Sequence, residues 1–299
     1  MISCKLVGGL GNQLFQIYTT IAYALQFSKP FFFLNNYQLG DGSNGTTIRY
    51  TYWDTFLTSL KPFLKELNTI PPLLFIKENS FNYKKLPKTI ENNKGTLLVG
   101  YFQSPKYFEK YKEAVYKLLK IDLKKQVVKK KSQIQFDNKH CFISMHFRFG
   151  DYKNYQHIYN ILKEQYYINA IQRILKEINW KPELLTILYF CENEDITDVT
   201  NIIKNLYLIF PYIHFERANP LLEDWEQMVL MSLCNHNIIA NSTFSWWGAY
   251  LNNNPEKIIC YPEQWFSNIS TKDTTDLFPE DWIKISLLTN KTITINNNK

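Results

Sequence analysis

The fold class follows from the segment Met1-Ile2-Ser3-Cys4-Lys5-Leu6-Val7-Gly8-Gly9-Leu10-Gly11-Asn12-Gln13-Leu14-Phe15-Gln16. An apolar run over 2–7 is interrupted by three glycines, after which apolar residues recur at steps of three and four as far as Leu25. This change of period indicates a strand, a glycine turn and an amphipathic helix. The unit predicts an α/β fold.

The same alternation of strand and helix continues along the chain. Further strands are predicted at 31–34, 96–99, 142–145, 186–191, 238–240 and 258–261. Helices are predicted over 105–119, over 167–178, from Pro220 with Asn219 as its cap, and through Trp246 and Trp247. We therefore expect two Rossmann-like domains with mainly parallel sheets, over 1–138 and 139–299, with the option that the last helix packs back on the first domain.

The composition is that of a folded protein, and its net charge suits an anionic partner. Hydrophobic residues make up 45% of the 299 residues, charged residues 20%, and the net charge is +7. That charge suits a nucleic acid, an acidic membrane surface or a sugar nucleotide. Part of it comes from a lysine-rich stretch over 124–131, which is interpreted as a solvated helix end or linker. No aromatic or glycine residues interleave with these lysines, so nucleic acid is not an expected partner.

The cysteines and the apolar runs bear on location and metal binding. The five cysteines stand singly, without the spacing of a zinc site, and suit reduced, buried thiols. No leader pattern and no run of transmembrane length is recognised. The expectation is a cytoplasmic protein, with peripheral contact to a membrane as an open alternative.

The glycine turn is the first candidate binding element. Gly9 and Gly11 would let backbone N–H groups at a helix N-terminus approach an anion, with Asn12 beside them. A dinucleotide fingerprint is a poor match, because Leu14 stands where the third glycine belongs and no acidic ribose partner follows the second strand. A purely structural glycine turn is the alternative.

A second cluster, His146, Arg148 and Asp151, follows the strand at 142–145. Arg148 can bind a diphosphate through two parallel hydrogen bonds and offset charge on a leaving group. Asp151 is the first candidate for the base that deprotonates an acceptor hydroxyl, and His146 is the second. The alternative is an Arg148–Asp151 pair that only ties the loop.

Two more clusters follow later strands. Glu192 can accept two hydrogen bonds from the edge of a guanine base. The row Asn241, Ser242, Thr243 and Ser245 offers polar groups at a helix start that can hold phosphate oxygens without a metal. The adjacent Trp246 and Trp247 are interpreted as core residues in preference to a sugar platform. No Asp-x-Asp or nucleotide P-loop motif is present.

Taken together, the chain resembles the α-1,2-fucosyltransferase family, glycosyltransferase family 11. The resemblance covers 2–282 and is carried by GGLGNQLFQ at 8–16, GYFQSPKYF at 100–108, HFRFGDY at 146–152 and IIANSTFSWWGAYL at 238–251. It implies the GT-B architecture, with an acceptor-side first domain and a second domain that binds the GDP-sugar. It also implies GDP-fucose as donor, no cofactor or metal, inversion at the anomeric carbon, and the 2-hydroxyl of a terminal galactose as acceptor.

The resemblance also assigns roles and shows departures. Arg148 matches the arginine that meets the donor diphosphate, and Asn12 matches an asparagine at the cleft. Phe149 stands where the family usually has a second arginine, and Glu192-Asn193 where relatives commonly carry two aspartates. An enzyme using another GDP-sugar or another acceptor hydroxyl is the nearest alternative, and a non-catalytic carbohydrate-binding protein is the second.

Overall fold

The computed structural model describes residues 1–40, 48–88, 94–137, 139–179, 181–267, 270 and 272–286. Within them, two sets of parallel strands with flanking helices face one cleft. The predicted α/β class and the GT-B arrangement of two facing units are confirmed. Residue 138, at the predicted domain boundary, lies outside the described residues, and so does the segment 287–299 that a returning terminal helix would need.

The first half is built on a small parallel sheet. Its strands are β1 (Ile2–Cys4), β2 (Phe33–Leu34), β3 (Gln38–Leu39), β4 (Arg49–Tyr50), β5 (Leu64–Lys65), β6 (Leu73–Lys77) and β7 (Gly95–Val99). β1, β7 and β6 form one sheet, β2 pairs with β5, and β3 and β4 form an antiparallel pair. α1 (Leu10–Gln26) follows β1 directly, as the glycine turn predicts. Phe31 bridges to Ile2, which places β2 beside β1.

Two short helices link the halves, and here one prediction is wrong. The stretch 105–119 is not a single helix but two 3-10 turns followed by α2 (Lys112–Leu118). Lys120 has a left-handed φ of 52° and ends that segment, after which α3 (Ile121–Lys131) begins. α3 packs on a helix of the second half.

The lysine-rich stretch over 124–131 forms the end of α3, as the interpretation as a helix end held. It is not fully solvated, however. Lys124 and Lys125 are half-buried, and burial lowers the pKa of each to about 8. Their ammonium groups donate to the carbonyls of Leu119 and Leu251. This segment therefore docks the two halves together instead of acting as a free linker.

The second half contains a six-stranded parallel sheet. Its strands are β8 (Cys141–His146), β9 (Leu185–Phe190), β10 (His214–Arg217), β11 (His236–Ile238), β12 (Ile259–Pro262) and β13 (Ile283–Ile285). The spatial order is β10-β9-β8-β11-β12-β13, which is the 3-2-1-4-5-6 order of a Rossmann fold. Every residue of β8 is buried, as expected for a central strand covered on both faces.

Helices α4 (Glu164–Glu177), α5 (Ile196–Ile209), α6 (Asp224–Met231) and α7 (Thr243–Tyr250) complete the second half. The predicted start of α6 at Pro220 is wrong. Asn219 instead closes a turn by accepting the N–H of Leu221. The helix begins four residues later, where Glu223 and Glu226 form a capping box.

The hydrophobic core is shared between the halves. One buried cluster joins α1 and its sheet to α7, and a second cluster fills the other face of the six-stranded sheet. Trp246 and Trp247 are fully buried, 4.4 Å from Phe15 and 4.5 Å from Tyr18 between ring centroids, respectively. Their interpretation as core residues is confirmed.

The cysteines are free, and all but Cys191 are fully buried. Burial raises the pKa of the Cys4, Cys141 and Cys260 thiols to about 12, so these groups stay protonated and unreactive. None of the helices in the described part of the chain is long and apolar enough to cross a membrane.

His236 at the start of β11 makes folding stability depend on pH. It is buried, its Nδ1 accepts the N–H of Ile258 at 3.0 Å, and burial lowers its pKa to about 4 from an ordinary 6.5. Between these values the unfolded chain binds more protons than the folded one, so stability falls as the pH drops through this window.

We expect His236→Asn, which keeps an acceptor for Ile258 but cannot be protonated, to lose less stability on acidification. From about pH 7 to about pH 5 the variant should lose roughly 1–2 kcal/mol less of its free energy of unfolding than the wild type. Urea unfolding at both pH values measures this. Equal losses in the two proteins would show that folding does not lower the pKa of His236.

Candidate active site

The candidate site is a cleft at the carboxyl ends of β8 and β11. These two strands are neighbours in the sheet although the chain visits β9 and β10 between them, so they mark the switch point where Rossmann folds bind ligands. The cleft has a volume of about 630 Å³ and is lined by residues of both halves. Of the predicted site residues it is lined by Gly9, Gly11, Asn12, His146, Arg148, Asp151, Glu192, Ser242 and Thr243.

Two helix N-termini meet at this cleft. α1 presents Gly9 to Asn12, and α7 presents Ser242 to Phe244. Within the described chain no side chain caps the N-terminus of α1, whereas Ser242 caps α7 by accepting the N–H of Phe244. Backbone N–H groups and the positive ends of two helix dipoles therefore face the same space, which favours a bound anion.

The glycines of the turn have different tasks. Gly8 has a φ of 80°, which favours glycine. A Cβ at Gly11 would lie 2.5 Å from the carbonyl carbon of Thr243 and 2.7 Å from the nitrogen of Phe244, so the missing side chain lets α1 touch the backbone of α7. A Cβ at Gly9 would meet nothing within 4 Å. Of the two predicted donor-binding glycines, Gly11 is required by helix packing and Gly9 borders open space.

The amides of the first motif hold the walls of the cleft together. Asn12 Oδ1 accepts from Gln103 at 2.8 Å and from the Thr243 hydroxyl at 3.0 Å, so it connects three segments. Gln13 is fully buried, and its amide donates to the carbonyls of Gly8 and Tyr50. Gln13 therefore serves the fold, because both N–H groups of its amide bond within the protein.

The arginine and the carboxylates form one cluster. Arg148 donates to Asp151 Oδ1 at 2.6 Å and also pairs with Glu192. Arg49, from the first half, pairs with the other oxygen of Asp151 at 3.2 Å. The Arg148–Asp151 pair expected in the loop-tying alternative is therefore present, but it lies inside the cleft. No group of three metal-ligating side chains is found among the residues that the structure describes.

His146 lies at the end of β8, packed near the ring of Phe244. It is 7% exposed, and burial together with the charge of Arg148 lowers its pKa to about 3. The imidazole is therefore neutral at ordinary pH. Its Nδ1 is a buried atom with no partner among the described residues. These properties make it a weak proton acceptor and leave Asp151 as the stronger candidate base.

Two residues of the predicted polar row point away from the cleft, because their side chains bond to backbone carbonyls in the core. Asn241 is fully buried and donates to Asn160 and Trp265, and the Ser245 hydroxyl donates to Ala240 and Ser242. The donor-binding role predicted for these two side chains therefore does not fit the structure. Ser242 and Thr243 remain at the cleft wall.

The loop that carries Asp151 is anchored by Asp195. This carboxylate accepts the N–H of Gly150 at 2.7 Å and the ammonium of Lys153 at 2.9 Å, which raises the pKa of Lys153. It makes no side-chain cap for α5, although it stands at the cap position. The side chain instead fixes the site loop to the segment that follows β9.

Several cleft residues were missed by sequence reasoning. They are Arg49, Tyr50, Tyr52, Tyr152, Tyr159, Asp224 and Gln227. Tyr152 and Tyr159 stack at 4.2 Å, and Tyr52 bonds across the cleft to Asp224. The sequence held one signal for Arg49, which is the rarity of arginine. The chain has only four arginines, and Arg49 is the single one before Arg148, so it is the first half's single candidate for a guanidinium at the cleft.

Comparison with known proteins adds the family. A sequence model of glycosyl transferase family 11 matches residues 75–286, which include the loop with Arg148 and the start of α7. The chain belongs to glycosyl transferase family 11. The predicted family is thereby confirmed, and the protein is a glycosyltransferase.

Two curated relatives match over nearly their whole length. An alpha-1,2-colitosyltransferase of Escherichia coli is 26% identical over 302 residues, covering 95% of this chain and 99% of the relative. The O-antigen biosynthesis glycosyltransferase WbnK of Escherichia coli is 28% identical over 327 residues, covering 95% and 100%. A solved fucosyltransferase, NodZ from Bradyrhizobium, is 10% identical with a TM-score of 0.41, covering 83% and 91%, a likeness too low to bear on function.

The two glycines of this glycosyltransferase should respond differently to alanine. Gly11→Ala should lower stability by roughly 1–3 kcal/mol, because the new methyl group meets the backbone of α7. Gly9→Ala should leave the melting temperature unchanged and weaken donor binding, because its methyl group projects into open space at the cleft wall. Thermal unfolding and the donor KM measure the two effects. Equal melting temperatures for both variants would contradict the packing role of Gly11.

Proposed function

We propose that this glycosyltransferase transfers L-fucose from GDP-fucose to the 2-hydroxyl of a terminal galactose, with inversion at the anomeric carbon. The observation that carries the proposal is the cleft in which Arg148 and the N-termini of α1 and α7 face one cavity. This set of groups suits a diphosphate between the halves. Glu192, at the end of β9, is the proposed partner of the guanine edge.

In the proposed reaction, the acceptor oxygen attacks the anomeric carbon on the face opposite to GDP. The bond from that carbon to the diphosphate oxygen breaks, and negative charge develops on the departing GDP. Arg148 and the backbone N–H groups of the two helix N-termini stabilise this charge. Asp151 takes the proton of the acceptor hydroxyl. No cofactor or metal takes part in this proposal.

The sequence relatives favour one alternative donor. One of them is named as transferring colitose. Colitose is L-fucose without the 3-hydroxyl, so the same guanosine diphosphate site would serve either sugar. A preference for one of these two donors would therefore depend on the part of the cleft that surrounds the sugar ring. The cytoplasmic location, with peripheral membrane contact, is proposed with the same function.

A transfer assay tests the proposed function. The purified protein is given GDP-fucose or GDP-colitose with a panel of galactosides, GDP release is followed, and the product linkage is determined by NMR. We expect an α-1,2-linked product from GDP-fucose, at a rate that excess chelator does not change. A requirement for manganese would contradict metal independence, and transfer from GDP-colitose alone would replace the donor. Absence of transfer with every pair would favour the carbohydrate-binding alternative.

Arg148→Gln should lower kcat/KM by about 10²-fold or more, because it removes a charged donor from the departing diphosphate. Arg148→Lys should recover part of the loss, since it restores the charge without the planar pair of donors. Arg173→Gln is the control, because Arg173 makes an exposed pair with Glu177 on α4. Circular dichroism and the melting temperature establish that each variant is folded. Activity of Arg148→Gln near that of the control would refute the assignment.

A further inference from the structure

The cleft contains a second guanidinium, Arg49, that the predicted site did not include. Arg49 and Arg148 are the two arginines that line the cavity among the described residues, against four carboxylates: Asp151, Glu192, Glu194 and Asp224. A bound diphosphate adds negative charge to this set. Each guanidinium therefore offsets part of the negative charge that the carboxylates and a bound diphosphate bring together.

Asp151 lies between the two arginines. Its Oδ1 accepts from Arg148 Nη2 at 2.6 Å, and its Oδ2 accepts from Arg49 Nη2 at 3.2 Å. One arginine comes from each half of the molecule, so the carboxylate joins the halves across the cleft. Both of its oxygens accept guanidinium N–H groups.

The backbone that carries Arg49 is held in place independently of Asp151. It belongs to β4, which pairs with β3 in register Leu39 to Arg49. The carbonyl of its neighbour Tyr50 accepts the buried amide of Gln13 on α1 at 2.8 Å. The guanidinium is therefore carried by a strand that is fixed to the same helix whose N-terminus lines the cleft.

We propose that Arg49 is a positioning residue, which holds the Asp151 carboxylate once Arg148 turns to the donor diphosphate. This inference rests on the proposed function. Arg148 also pairs with Glu192, so the diphosphate takes Arg148 from both carboxylates when it binds. Asp151 then keeps its bond to Arg49, which directs one oxygen toward the first half and leaves the oxygen released by Arg148 free to accept the proton.

The role differs from that of an ordinary surface ion pair and from direct donor binding. Arg49 is 40% exposed, and exposed pairs contribute little to stability, so removing it should leave the fold intact. A residue that binds the donor would affect GDP affinity. A residue that positions the base affects the rate of the bound complex instead.

Three substitutions of Arg49 and one control test the inference. We expect Arg49→Gln to lower kcat by about tenfold to a hundredfold while the dissociation constant of GDP changes by less than about twofold. Arg49→Lys should retain part of the rate, and added guanidine hydrochloride at millimolar concentration should partly restore Arg49→Ala. Arg173→Gln, which removes an arginine of similar exposure from α4, should behave as wild type.

The measurements are initial rates at saturating donor and acceptor, with whichever GDP-sugar the wild type uses, and calorimetric titration with GDP alone. A kcat for Arg49→Gln equal to that of the wild type would overturn the inference. So would a loss of GDP affinity comparable to that of Arg148→Gln, which would make Arg49 a donor-binding residue. Failure of the proposed function is distinguishable, because it would appear in the wild-type protein as lack of GDP binding or of transfer.

Discussion

The crossing of α1 and α7 is the constraint on which the site depends. Gly11 lies against the backbone of Thr243 and Phe244, and one turn further along α1 Phe15 packs on Trp246. This contact brings together the N-termini of two helices from different halves of the chain. Since both N-termini carry partial positive charge, the packing that stabilises the fold also creates the anion-binding character of the cleft.

The polar groups around this crossing have two kinds of task. Asn12, Gln13 and Asp195 bond to other parts of the protein and fix the walls of the cleft. Arg148 and Glu192 bond to each other across the open space. A ligand can replace the second kind of contact without disturbing the first. The fixed amides therefore preorganise the site, while the Arg148–Glu192 pair is a contact that a ligand can replace.

Sequence periodicity was sufficient for the frame of the fold, because β1, α1, β8, β9 and α7 have strong local patterns that end in glycine or polar clusters. The same patterns led to nine of the residues that line the cleft, since the ends of parallel strands lie at one edge of a sheet. Periodicity could not separate ligand-facing side chains from buried ones within a polar row. Only the structure shows that Asn241 and Ser245 face the core while Ser242 and Thr243 line the cleft. Arg49 was missed because its ion pair with Asp151 joins residues that are 102 positions apart in the chain.

The common core of the two halves limits how substrates enter and leave. Moving the halves apart would expose the rings of Phe15, Tyr18, Trp246 and Trp247 to water. Full burial of four such side chains is worth on the order of 10 kcal/mol, which is comparable to the whole stability of a typical domain. A motion that separates α1 from α7 would therefore cost a large part of the stability of the protein. Ligands that exchange through the mouth of the cleft leave this packing undisturbed.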